Sequence, residues 1–266
     1  MKKLFLATAL LLASSGTVEA ATAITSQADW NSNAPVNADQ SRTLNTGDWT
    51  MNKISDKVDN FGSFIPRDLF INSSTTLSII GADGPGTSHS SLHTKNLNIT
   101  STASGVLKLT GGNARATATI GQTGGAALQV MGGFTNWSTG MLLTGGNSAM
   151  GATWQHQHSG GTGLWLYSDV NTYNQHLNRG EITAVGGIGV DRPDNYDTTS
   201  HTGGRGLVMR SGDMTNESGA SITATGGASG GRIGIGGAGF FFREGNLFNK
   251  GTLIATGANT SVVHRH

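Results

Sequence analysis

One short unit recurs along the chain and restricts it to very few folds. The unit is an apolar triplet, an Asn-x-Gly or Asn-x-x-Gly turn, and a hydrophobic/Ala strand closed by glycine. It reads Leu207-Val208-Met209, Asn216 to Gly219, then Ile222-Thr223-Ala224-Thr225-Gly226-Gly227. It recurs as Phe240-Phe241-Phe242, Asn249 to Gly251 and Leu253 to Gly257, and as Leu164-Trp165-Leu166, Asn178 to Gly180 and Ile182 to Gly187. Looser copies end at Gly145-Gly146 and Gly111-Gly112. Closing glycines at 111, 145, 186, 226 and 257 are 34, 41, 40 and 31 residues apart. Short apolar runs bounded by turn formers at such a period indicate a β-solenoid, in which each unit buries a face it cannot bury alone.

The fold expected is an all-β, right-handed parallel β-helix with irregular loops and an N-terminal cap; a β-sandwich with Gly-rich turns is the competing arrangement. About two short strands are expected per unit. Alternation places Ile222 and Ala224 inward and Thr223 and Thr225 outward. Asn178, Asn216 and Asn249, with Gly180, Gly219 and Gly251, are expected at corners, where Gly and Asn tolerate left-handed backbone dihedrals. Stacked corner asparagines would extend a side-chain ladder. The unequal period requires loops to leave the body, chiefly 147–162 and 188–205.

Of 41 glycines, 35 lie between Gly105 and Gly257, which separates a repeat domain, 76–266, from an N-terminal cap region, 21–75. Residues 1–20 have the pattern of a secretory signal. Lys2-Lys3 precedes an apolar run from Leu4 to Ala13, and Val18-Glu19-Ala20 resembles a small-x-small cleavage site. The run is too short to span a bilayer. With no cysteine, disulfides and thiolate chemistry are excluded. A net charge of +1 with scattered cations gives no basic surface for nucleic acid.

The pattern at 249–257, with 216–227 and 178–187, resembles the degenerate repeats of autotransporter passenger domains. That resemblance implies a secreted right-handed β-helix on the outer membrane of a Gram-negative bacterium, acting in adhesion or aggregation. Residues 97–260 carry it. The sequence has no long alternating strands of the kind that build an outer-membrane barrel, so the expectation is a truncated or split passenger served by a separate translocator, or a secreted relative using another exporter.

The function expected is therefore non-enzymatic attachment to surface glycans or proteins, with no cofactor. Trp154, Tyr167 and Tyr196 are the binding candidates. His156-x-His158 puts two imidazoles on one strand face, a start toward a metal site that needs three or four ligands. Asp191, Asp194 and Asp197 offer hard oxygens for calcium. The alternative function is a secreted polysaccharide lyase or hydrolase, with Asp191 and Asp194 as paired carboxyls and Arg192 or Arg205 steadying a sugar acid. Gly231 to Gly237 lacks the strand–loop–helix setting of a nucleotide loop.

Overall fold

The computed structural model describes residues 69–259, except 73–75, 82, 86–89, 95, 101–104, 116–122, 150–158, 168–172, 190–200 and 230–233. It also describes Thr22–Ala23, Ser32, Asn37, Arg42–Leu44 and Trp49–Thr50. Its strands are parallel and stack into three main sheets, the arrangement of a β-solenoid.

From Leu92 onward each coil contributes one strand to each sheet. The first sheet holds Leu92–Thr94, Leu128–Val130, Leu164–Leu166, Leu207–Met209 and Phe240–Phe242. The second runs from Arg42–Leu44 through Leu69–Ile71, Leu97–Ile99, Phe134–Asn136, Gln175–Asn178 and Asp213–Asn216 to Leu247–Asn249. The third holds Leu77–Ile80, Val106–Thr110, Gly140–Thr144, Glu181–Val185, Ser221–Thr225 and Thr252–Thr256. The coil therefore has three strands rather than two. Met214-Thr215-Asn216, which reads locally as a turn, pairs with Leu247-Phe248-Asn249 as a full strand of the second sheet.

Alternation sets the core. In the third sheet Leu77, Leu107, Met141, Ile182 and Ile222 form one inward column, with Ile79, Leu109, Leu143, Ala184 and Ala224 beside it, and all are buried. Leu128, Leu164 and Leu207 line the interior from the first sheet, each without exposed surface. Thr223 and Thr225 face outward, as alternation predicts. Thr223-x-Thr225 aligns with Thr183-x-Val185 and Ile254-x-Thr256, so the Thr-x-Thr pair itself does not repeat.

The corner asparagines do form a ladder. Asn136 Nδ2 donates to Asn178 Oδ1 at 2.8 Å, Asn178 to Asn216 at 2.8 Å, and Asn216 to Asn249 at 2.7 Å. The first three are fully buried. Asn178 also donates to the Gly180 and Ser221 carbonyls, both at 3.1 Å. Burying polar groups is tolerable here because each amide meets partners within and between coils.

The corner glycines divide by physical cause. Gly219 has φ +83°, the left-handed region expected. Gly180 and Gly251 do not share it. A Cβ on Gly180 would sit 2.0 Å from the Ser138 carbonyl oxygen, and one on Gly251 2.3 Å from that of Ala220. These two corners require glycine because successive coils touch backbone to backbone.

The loops also begin differently from separate projections. The chain leaves the third sheet through Gly111-Gly112, Gly145-Gly146, Gly186-Gly187 and Gly226-Gly227. It returns through Gly124-Gly125, Gly160-Gly161, Gly203-Gly204 and Gly236-Gly237. Outgoing and returning pairs interleave as one zipper. Gly146 N donates to Gly125 O at 2.8 Å, Gly161 to Gly146 at 2.7 Å, Gly187 to Gly161 at 2.8 Å, and Gly204 to Gly187 at 2.8 Å. A Cβ on Gly187 would lie 2.0 Å from the Gly146 oxygen, so no side chain fits in this neck. Beyond it the loop feet stack in parallel: Ser159 bridges Thr202, Gly189 bridges Ser229, and His201–Thr202 pairs with Gly234–Ile235.

Candidate functional site

The outward residues of the first sheet are fixed by its register. His93, Gln129, Trp165, Val208 and Phe241 occupy the middle of successive strands and form one column. The neck rises beside this column, and the two enclose a groove of about 620 Å³. Its lining runs from Ser90 and Gln129 past Ser159, Trp165 and Arg205 to Phe241. At ~4.8 Å per coil, Gln129 to Phe241 covers about 14 Å along the stack.

Val208 is only 2% exposed although it points away from the core. Trp165 and Phe241 flank it in register, and two arginines from its own coil lie over those rings. Arg205, before the strand, places its guanidinium 4.1 Å from the Phe241 ring centroid. Arg210, after the strand, reaches the other way and lies 5.0 Å from the Trp165 ring centroid. Both arginines are exposed residues. A guanidinium over an aromatic face gains from the ring quadrupole, about 0.5–1 kcal/mol at an exposed site.

Tyr167 lies on the same face. Its ring is 5.5 Å from that of Trp165, and its hydroxyl is 2.6 Å from His93 Nε2. The Trp165 indole N–H is shielded from solvent and has no acceptor among the described residues. Gln129 Nε2 donates to Ser90 Oγ at 2.6 Å, and the hydroxyls of Ser159 and Thr202 are 2.7 Å apart. The groove thus joins aromatic surface, hydroxyls and the Arg205 cation, with one wall of bare glycine backbone and Arg210 at its margin over Trp165.

Of the binding candidates, Tyr167 packs against Trp165 on the same outer face, beside the groove and outside its lining. Trp154 and Tyr196 lie outside the described residues, as do His156, His158, Asp191, Asp194, Asp197 and Arg192. No group of three metal-ligating side chains occurs among the described residues. The three consecutive phenylalanines take different roles: Phe240 packs on the core, Phe241 lines the groove, and Phe242 is 38% exposed.

Sequence reasoning missed Val208, Phe241 and Arg210 as parts of one site. The available signal was Arg205-Gly206-Leu207-Val208-Met209-Arg210, a strand with an arginine beyond each end, aligned with Trp165 and Phe241.

A second polar cluster lies at the corner between the first and second sheets. Asp213 accepts from the Tyr173 hydroxyl and from Asn246 N and Nδ2, the last two at 2.8 Å. The bond to Tyr173 leads the influences that hold the Asp213 carboxyl below its usual range, and the same bond raises the Tyr173 phenol. His176 points into the core, is 1% exposed, and is pushed below its ordinary pKa mainly by burial.

Comparison with protein-family models, with characterised proteins and with solved structures finds no match to this chain.

Proposed function

We propose that this protein is exported and attaches, without catalysis, to a surface or to another cell, as the passenger-like repeats suggest. In this reading the stack is a right-handed β-helix, residues 21–75 cap its N-terminal end, and cleavage after Ala20 releases the mature chain. Display on the outside of a bacterial outer membrane, through a separate translocator, fits the same pattern. The observation that carries the proposal is the groove along the first sheet. Interior positions are filled by Leu, Ile, Met and Ala, so recognition falls to the outer faces and loops. A concave strip with aromatic anchors and a few placed polar groups is how proteins hold ligands.

The test is retention of the full-length exported protein on cells and on glycan-coated surfaces, comparing the wild type with Trp165→Ala and Phe241→Ala. Attachment that falls for both variants, at unchanged thermal midpoint, supports the proposal. Attachment indifferent to both removes the groove from it. N-terminal sequencing of the exported protein is expected to begin at Ala21; an intact Met1 on a cytosolic species overturns the export reading.

A further inference from the structure

We infer that the groove takes a carboxylate-bearing polysaccharide, a uronate polymer, laid parallel to the solenoid axis with its acid groups on Arg205 and Arg210. The inference rests on reading the groove as an attachment site and names the class of ligand. Charge is the first argument. Among the described residues, Arg205 is the one charged residue in the groove lining, and no Asp or Glu joins it. Arg210, outside that lining, follows the other end of the same strand and lies over Trp165, which does line the groove. Neither has an ion-pair partner among the described residues, where Arg243–Glu244 is the pair present.

Geometry is the second argument. Each guanidinium lies over a ring, Arg205 over Phe241 and Arg210 over Trp165. The planar fork has its donors at the edge, where a carboxylate accepts two parallel N–H bonds. Because the rings already restrain both side chains, less rotamer freedom is lost on binding. Two cations suit spaced carboxylates better than a nucleic acid backbone, whose affinity grows with the number of phosphates neutralised.

Shape is the third. The groove passes several coils, which suits a run of sugar rings rather than one. The glycine wall carries no side chains, so a ring can lie against backbone. Ser159, Thr162 and Thr202 line the groove beside that wall, with the Ser159 and Thr202 hydroxyls bonded to each other, and supply hydroxyl chemistry suited to sugars.

The experiment is calorimetric titration of the full-length protein with alginate and polygalacturonate, and with neutral dextran and polyglutamate as comparators. Wild type, Arg205→Gln/Arg210→Gln and Arg205→Lys/Arg210→Lys are compared, each checked for an unchanged thermal midpoint. Uronates should bind and dextran should not. The Gln pair should lose about tenfold or more, as expected when charge-assisted hydrogen bonds are removed. The Lys pair should recover only part, since it keeps the charge without the fork. Dextran and uronates binding equally, with both double variants unaffected, overturns the acidic ligand and leaves attachment standing. Polyglutamate binding tightest overturns it in favour of an acidic protein partner. No binding to any of the four, while cell retention still depends on Trp165 and Phe241, also overturns it and spares the attachment reading. No binding to any of the four, with retention indifferent to Trp165→Ala and Phe241→Ala, overturns the acidic ligand and removes the groove from the attachment reading.

Discussion

Asn178 donates its side-chain amide to Asn216 one coil further on, at 2.8 Å, with both side chains fully buried. The bond is one rung of a ladder at the corner between the second and third sheets. Each rung satisfies groups that packing has removed from water. Removing one asparagine therefore strands partners on both sides.

Asn178→Ala leaves the Asn136 amide without its inter-coil acceptor and the Asn216 carbonyl without its donor. Each unsatisfied buried group costs about 1–3 kcal/mol. A destabilisation at the upper end of that range or beyond is expected in urea melts. Asn249→Ala, at the exposed end of the ladder, should cost clearly less. Equal costs would show that the ladder contributes nothing specific.

The two classes of corner glycine predict different rescues. Gly219 has φ +83° and open space around its Cβ position, so Gly219→Ala should cost about 1–2 kcal/mol. Gly219→Asn should recover part of that, since Asn enters the left-handed region more readily. Gly180→Ala meets the Ser138 carbonyl oxygen. It should cost more, and Gly180→Asn should do no better. Thermal midpoints of the four variants decide the matter.

The acidic loop can be removed only as far as its feet. Replacing 190–200 with a short Gly-Ser linker leaves Gly189 N bonded to Ala228 O and Gly160 N to Thr202 O. Far-UV strand signal and a cooperative melt should persist. Extending the replacement through Thr202 and Gly203 removes the bridge to Ser159 and a member of the glycine neck. That variant should melt earlier or lose cooperativity. Identical melts would mean the neck is dispensable.

Burial holds the His176 imidazole below its ordinary pKa; its contact with the Ser211 carbonyl and the charge of Asp213 oppose the shift without reversing it. The unfolded chain, with a histidine pKa of about 6.5, then binds a proton that the folded chain resists. The stability contribution is full above about pH 6.5 and is lost as pH falls toward the folded pKa. His176→Met should flatten the fall in urea midpoint between about pH 6.5 and 5. An unchanged slope would show that other groups set the acid limb.

The sequence by itself determined the all-β repeat and which residues face inward. Ile222 and Ala224 are buried and Thr223 and Thr225 are outward because a strand alternates its faces, a property of local order alone. The asparagine ladder was legible for the same reason, since like residues at one place in each unit must stack. What only the tertiary structure decided depends on contacts between residues some 40 positions apart, while the unit length varies from 31 to 41. Met214-Thr215-Asn216 reads as a turn until Leu247-Phe248-Asn249 pairs with it. Gly187 reads as the close of a strand until the Gly146 backbone occupies the space of its missing side chain. Trp165, Val208 and Phe241 become one surface through register, and Arg205 and Arg210 become a pair because the same strand turns them toward opposite neighbours. Local propensity specifies the strand; stacking, which pays the entropy of closing each coil only when neighbours meet in register, specifies the groove.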